Sequence, residues 1–285
     1  AWPLREEEIP EFKERLLAYL VKAAREAKIH TSWLDPDADY ENALKEFTAS
    51  ILVPGDGNRF LPDFREFQKI VAYYGAWNSL AQVLLKITSP GVPDFYQGTE
   101  LWNFSLVDPD NRRPVNFTTR ARLLQGLKEE ETKGQLALAR NLLTHWQDGR
   151  VKLYLTYKSL HFRRAHRELF AAGEYIPVAV TGSRSGHACA FARHLGREWA
   201  LVVVPRLLAR LQLAGQVMPT AEMLPAPGFP PGKTIWQETA LFLPEKAPGN
   251  WCNILTGEVV ASTFSPEGKV LTLADILQSF PVALL

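Results

Sequence analysis

At 285 residues, 46% hydrophobic and 22% charged, with a formal net charge of +1, the chain has a globular composition and no excess of either charge sign. That length allows one large domain or two ordinary ones, and near-neutrality argues against a nucleic-acid partner. No apolar run approaches the roughly 20 residues that a bilayer-spanning helix needs, so no membrane partner is expected.

The chain opens Ala1-Trp2-Pro3, without an initiator Met, and reads as a piece of a longer protein. Glu6 to Glu8 followed by Pro10 put negative charge and proline where a helix begins. A helix is expected over residues 10–28, with Phe12, Leu16, Leu20, Ala23 and Ala27 as its apolar stripe. Ile29 to Trp33 reads as a short β-like run closed by a Leu-Asp-Pro-Asp turn, and a second amphipathic helix follows over 39–52. His30 has two readings, a packing residue beside Trp33 or a ligand contact. The strongest helical pattern covers 62–86, with Phe67, Ile70, Val71, Tyr74, Ala81, Leu84 and Leu85 on one face. Asn78 and Gln82 leave its other side short of charge, as in a helix buried on more than one side.

A Ser-Pro-Gly stop at 89–91 precedes Val92 to Tyr96, which the pattern predicts as one buried strand. A long helix feeding a short strand that opens into a polar loop is the repeating unit of a TIM barrel, whose C-terminal face carries the site. The strand candidates in the first 150 residues are too few to close eight. The loop over 97–115 packs Asp108, Asp110, Arg112 and Arg113 within six positions, near Tyr96 and Trp102. Hydrogen-bonding forks beside flat apolar faces suit a sugar, and the plainer reading is a surface loop closed by its own salt bridges.

Beyond the loop, Thr118 or Thr119 is the expected cap of a helix ending at Glu131, Gly134 breaks it, and helices over 135–146 and 151–166 follow around an Asp148-Gly149 turn. His145, His161 and His166 lack acidic companions at ligand spacing, so no metal is expected. From Glu174 the texture changes. Runs at 175–180, 187–193, 199–204, 235–243, 250–255 and 270–273 are short, rich in β-branched or aromatic residues, and separated by Gly and Pro turns, which predicts an antiparallel β domain. Gly182 to Gly186 and Leu195 to Arg197 read as hairpin loops, and Pro219 to Gly232 as an extended surface connection. Cys189 and Cys252 lie inside apolar runs as candidate buried thiols, with a single disulfide as the alternative. With no targeting pattern ahead of them, a reducing cytoplasm is the expected compartment.

The words GVPDFYQGTELWNFSLVDPDNRRPV, preceded by NSLAQVLLKITSPG, closely resemble the signature after the last barrel strand in the maltooligosyltrehalose synthases of the α-amylase superfamily. AREAKIHTSWLDPD, GNRFLPDFREF and WQDGRVKLYLTYKSLHFRR extend the likeness. It implies an α/β plus all-β fold: the last part of a (β/α)8 TIM barrel with its helices and a helical extension over 1–173, then an antiparallel β-sandwich over 174–285. It also implies a (1→4)-α-D-glucan 1-α-D-glucosylmutase, which turns the reducing-end α-1,4 bond of a maltooligosaccharide into an α,α-1,1 bond. No cofactor is implied, and the partner beyond the substrate is the N-terminal part of the barrel.

Members of the superfamily use a retaining mechanism with a nucleophilic aspartate, an acid glutamate and a stabilising aspartate. Those three lie upstream of the matched words. The last follows a histidine in the family motif, and this chain has no His-Asp pair, so no catalytic carboxylate is assigned, Glu100, Asp108 and Asp110 included. What the resemblance leaves to this chain is the wall around the leaving glucose. There Tyr96 and Trp102 are expected against sugar faces, with Gln97 and Glu100 on hydroxyls. Arg112 or Arg113 would pair with Asp108 or with a catalytic carboxylate, and Asn111 and His30 complete the candidate set. A hydrolytic amylase-like enzyme and a non-catalytic glucan-binding module are the alternatives. The latter would display Trp199, Trp236 and Trp251, which β packing would otherwise bury.

Overall fold

The protein is described here by a computed structural model covering residues 5–213, 235–266 and 268–285; the expected connection from Pro219 to Gly232 lies outside the described residues. The chain divides into two units, Ala1–Lys69 with Asn103–Val115, and Ile70–Trp102 with Asn116–Leu285.

In the first unit, α1 (Ile9–Ala27) starts with Pro10 in its first turn and Glu11 at the positive end of its dipole, and stops at Lys28 in the left-handed region. Helix α2 (Ala38–Ile51) is capped by Asp37, whose carboxylate accepts from the Tyr40 N–H at 2.9 Å. Asn58 joins α2 to α3 (Phe60–Thr88). Its amide donates to the Ile51 and Val53 carbonyls at 2.8 Å, and its Oδ1 accepts from Leu61 N at 3.1 Å. The β-like run expected from Ile29 to Trp33 is instead a series of bends, because its polar groups go to a local network rather than to a ladder. Thr31 donates to Glu41 at 2.7 Å and accepts from Asp37 N at 3.0 Å, while Arg25 grips the same carboxylate with two nitrogens at 2.6 and 2.7 Å.

The Arg25 fork, then the Thr31 hydroxyl, pull the Glu41 carboxyl down to about 2. A group whose folded pKa lies below its unfolded value gives full stability above the unfolded value, near 4.5, and loses it as pH falls toward 2. The urea midpoint of the chain is therefore expected to drop over that interval, and part of the drop to vanish in Glu41→Gln. An identical acid limb in that variant would remove Glu41 from the account.

The first unit buries little apolar surface. Leu61 is its one buried hydrophobic side chain among the described residues, whereas Leu34 is 99% exposed, and Ile29, Phe47, Phe60, Phe64, Phe67 and Phe104 are exposed too. Phe67 and Val71, expected on the inner face of α3, lie outward, and the helix turns Ile70, Tyr73, Tyr74, Trp77, Leu80, Ala81, Leu84 and Ile87 into the core. Asn78 and Gln82 are exposed, contrary to the burial on more than one side that their uncharged neighbourhood suggested, because the polar amides fall on the strip of the helix outside that buried arc.

In the second unit the helices α4 (Phe117–Lys133), α5 (Gln135–Thr144), α6 (Arg150–Ala165) and α7 (Arg167–Ala172) share one apolar core with ten short strands. Asn116, rather than either threonine, caps α4 by accepting from Thr119 N at 2.9 Å. Gly134 separates α4 from α5. The segment Val92 to Tyr96 is not a strand: every ladder among the described residues lies beyond Glu174, so nothing pairs with it, and there is no closed barrel.

The strands are β1 (Glu174–Pro177), β2 (Ala179–Thr181), β3 (Ala188–Leu195), β4 (Glu198–Pro205), β5 (Ala240–Phe242), β6 (Asn250–Cys252), β7 (Val259–Ala261), β8 (Thr263–Ser265), β9 (Gly268–Thr272) and β10 (Ala283–Leu284). They form one sheet in the order β1-β3-β4-β10, another in the order β2-β5-β9-β8, and a ribbon β6-β7, all antiparallel. Leu195 to Arg197 is the expected hairpin loop, since Leu195 faces Glu198 in the register. Gly182 to Gly186 is not a hairpin, because β2 and β3 belong to different sheets and the segment carries the chain between them.

Cys189 and Cys252 are exposed free thiols, contrary to the reading of buried ones. Strand alternation turns Cys189 outward between buried Ala188 and Ala190. Trp236 and Trp251 are buried, while Trp199 is half-buried with the His194 ring stacked on it at 4.1 Å.

Candidate functional site

The candidate residues fall in two places, one in each unit. In the first unit, the loop Asn103–Val115 is organised by Asp110, which lies in a short 3-10 turn, Asp110–Arg112. Its carboxylate accepts both nitrogens of the Arg15 fork from α1 at 2.8 Å and the Leu106 N–H at 2.6 Å, and Arg113 lies 3.1 Å away. The Arg15 fork is the main reason that its carboxyl is held below the ordinary range. Sequence reading missed Arg15, which lies 95 residues away and carried no local signal.

The two neighbouring arginines differ. Arg113 donates to the Asp110 carbonyl, to Ser105 and to Glu11 of α1, which pins the loop. Arg112 is 72% exposed and pairs with Asp108, whose backbone carbonyl takes the Lys22 ammonium. Asn111 is half-buried, and its Oδ1 has no hydrogen-bond partner among the described residues. His30 is exposed beside the Tyr40 ring at 4.9 Å, next to Trp33, which carries the Arg25 guanidinium over its face at 5.0 Å.

In the second unit, the turn from Gln97 to Trp102 leaves α3 by way of Gly91. Tyr96 and Gln97 are exposed, and the turn behind them is held from below by three elements. Arg120 of α4 binds Glu100 at 3.0 Å and the Gly98 carbonyl at 3.0 Å. The Trp102 indole donates to the Trp146 carbonyl at 2.7 Å, and its ring meets Trp146 edge-on. Lys152 of α6 donates to the Leu101 carbonyl at 3.4 Å and sits over the Trp102 ring at 5.6 Å. Gly149, with φ +81°, brings the chain close to this turn: a Cβ there would lie 3.2 Å from the Trp102 nitrogen.

Neither Arg120 nor Lys152 was legible as a site residue. Both come from helices that look ordinary in sequence, and only packing carries them to the turn. Burial, then the Lys86 ammonium, lower the Lys152 pKa to about 8, against the opposite pull of Glu100. A depression of that size costs roughly 3 kcal/mol of stability at neutral pH. As a chemical surface, the turn thus offers an exposed phenol and amide, a carboxylate already neutralised by a guanidinium, and a firmly seated indole. No helix among the described residues is long and apolar enough to cross a membrane.

No family model matches the chain. A curated Mycobacterium tuberculosis protein named for maltooligosyl trehalose synthase is 33% identical over 287 residues, covering all of this chain and 30% of that protein. The solved maltooligosyltrehalose synthase of Arthrobacter ramosus is 30% identical, with 99% of this chain and 30% of that one aligned at a TM-score of 0.70. This chain resembles maltooligosyltrehalose synthases along its whole length. Another solved synthase of that name, 30% identical, aligns with 96% of the chain at a TM-score of 0.63. The chain spans about 30% of the length of these synthases, a share consistent with a C-terminal portion. With 99% of the chain aligned to the Arthrobacter ramosus synthase, the likeness takes in both units, the Gln97 to Trp102 turn and the Asn103–Val115 loop among them.

Proposed function

We propose that this chain is the C-terminal part of a (1→4)-α-D-glucan 1-α-D-glucosylmutase, which converts the reducing-end α-1,4 bond of a maltooligosaccharide into an α,α-1,1 bond. The observation that carries the reading is the likeness over essentially the whole chain to proteins named for the formation of maltooligosyl trehalose. In this reading residues 1–173 complete the catalytic barrel and residues 174–285 form a β-sandwich. The exposed apolar side chains of the first unit, Phe60, Phe64 and Phe67 among them, support it, since such a surface is ordinarily covered.

The reaction needs the freed glucose to stay, turn over, and present its anomeric hydroxyl to the glycosyl-enzyme before water does. This chain supplies walls for that pocket. Tyr96 and Gln97 reach a sugar from an exposed turn whose base is fixed, Trp102 gives an apolar edge, and Glu100, held by Arg120, accepts hydrogen bonds from sugar hydroxyls. In the first unit, Arg112, exposed beside Asp108, is the proposed partner of a carboxylate or a sugar oxygen, with Asn111 and His30 as further proposed contacts. Arg113 holds the loop. The buried indoles of Trp236 and Trp251 weigh against a glucan-binding module built on the β part.

The test is the product of the complete enzyme on maltopentaose. A non-reducing product of the same mass supports the mutase reading, and shorter reducing sugars as the main product replace it with the hydrolase. In that enzyme Arg112→Ala is expected to lower turnover about tenfold or more, a loss near 1.4 kcal/mol in the transition state. Its exposed ion pair contributes at most about 1 kcal/mol to folding, so the melting point should barely move. Full turnover with a lower melting point would reassign Arg112 to loop structure.

A further inference from the structure

We infer that Lys152 is a positioning residue for the proposed sugar site: its ammonium, brought up from α6, holds the Leu101 carbonyl and the Trp102 ring and so fixes the turn that presents Tyr96 and Gln97. The inference rests on the functional reading above for what the turn binds, and on geometry alone for the positioning. Lys152 is 9% exposed, and its ammonium ends at the Leu101 carbonyl and the Trp102 ring. The charged groups that face it are Lys86 of α3, which repels it, and Glu100 of the turn, which is itself committed to Arg120 of α4. No carboxylate among the described residues forms an ion pair with it.

A buried ammonium without its own counter-ion is costly to keep, and a leucine or methionine of similar reach would fill the same space more favourably. What the charge alone provides is a donor to a backbone carbonyl and a cation against an indole, both in the turn that carries Gln97, Glu100 and Trp102. The same indole is held from its nitrogen by the Trp146 carbonyl, and the Gly98 carbonyl by Arg120. Two cationic donors, Arg120 and Lys152, and one acceptor, the Trp146 carbonyl, therefore fix a turn of six residues, and Lys152 is the one whose charge can be lost within the working pH range.

Two variants and two measurements test this. Lys152→Met keeps length and removes the charge, and Lys152→Arg keeps the charge. In this chain at neutral pH, amide exchange over residues 97–102 is expected to quicken about tenfold or more in Lys152→Met, because a turn that has lost an anchor opens more often, and to return close to wild type in Lys152→Arg. Exchange in α3 and in the sheets should not change. Equal exchange over the turn in Lys152→Met and wild type overturns the inference.

In the complete enzyme, Lys152→Met is expected to raise KM for maltopentaose about tenfold with a smaller change in kcat. The wild-type activity should fall as pH rises through about 8, a limb that shifts upward in Lys152→Arg and is absent from Lys152→Met. A KM and pH profile that do not change in Lys152→Met count against it equally. If the complete wild-type enzyme forms no trehalose end, the functional reading fails by itself, and the exchange result then decides whether Lys152 positions the turn.

Discussion

Incubated alone with maltopentaose, this chain is expected to form no non-reducing product and to release no new reducing ends. Glycosyl transfer with retention needs a nucleophilic carboxylate and a protonated carboxyl opposed across one anomeric carbon, about 5 Å apart, and the acid must have a raised pKa. Four carboxylates near the candidate residues are counter-ions instead: Glu100 to Arg120, Asp108 to Arg112, Asp110 to Arg15, and Glu41 to Arg25. Among the described residues, the acidic groups with a displaced pKa, Glu8, Glu41, Asp110 and Glu238, are all displaced downward, the first and last by backbone N–H donors and the other two by arginine forks, which disables a general acid. Losing both carboxylates forfeits most of the rate enhancement, so turnover should lie at least about a millionfold below that of the complete enzyme. Steady loss of reducing ends, abolished by Asp108→Asn or Glu100→Gln, would show that the catalytic carboxylates lie in this chain. On the proposed reading, activity restored by supplying the rest of the barrel is the expected positive control.

The largest expected effect on stability is at Arg193. Its guanidinium, 2% exposed on β3, donates to the carbonyls of Phe170 at 3.1 Å, Gly173 at 2.8 Å, Glu174 at 3.2 Å and Thr88 at 3.4 Å, with the Phe170 ring 5.8 Å away. It thereby takes up the free carbonyls at the ends of α3 and α7, where helix termini leave acceptors unpaired and the dipole favours a cation. Burial lowers its pKa, which records the cost of placing the charge there, and removing the guanidinium takes a donor from each of those four carbonyls at once. Arg193→Met is expected to cost about 3–5 kcal/mol, read as a fall in the urea midpoint with an unchanged slope. Arg193→Lys, with three donors and no planar fork, should recover only part of it. A loss below about 1 kcal/mol would mean that water or rearranged backbone serves those carbonyls as well.

What the amino-acid sequence determines here is what depends on near neighbours. Helices α1 to α6 follow from apolar spacing at 3.6 residues, Pro10 and Asp37 mark two beginnings and Gly134 an end, and the change to β texture falls at Glu174, where β1 starts. The choice of Asn116 over the threonines as cap, and of outward rather than inward for Phe67, Val71 and Cys189, lay within a residue or two of what local pattern resolves. The candidate residues from Tyr96 to Arg113 were legible because polar, charged and aromatic side chains crowd there without the period of any element.

Only the tertiary structure decided how they are held. Whether Val92 to Tyr96 is a strand depends on a partner to complete its ladder, and within the described residues it has none. Arg15 meets Asp110 across 95 positions, Arg193 meets Thr88 across 105, and Lys152 meets Leu101 across 51. Each of those contacts joins a helix or strand to a loop or helix end through an ion pair or a backbone carbonyl. Charge and hydrogen-bonding capacity are written in a residue type, but the partner is chosen by packing, and that choice separates Arg113, which pins its loop, from Arg112, which remains exposed.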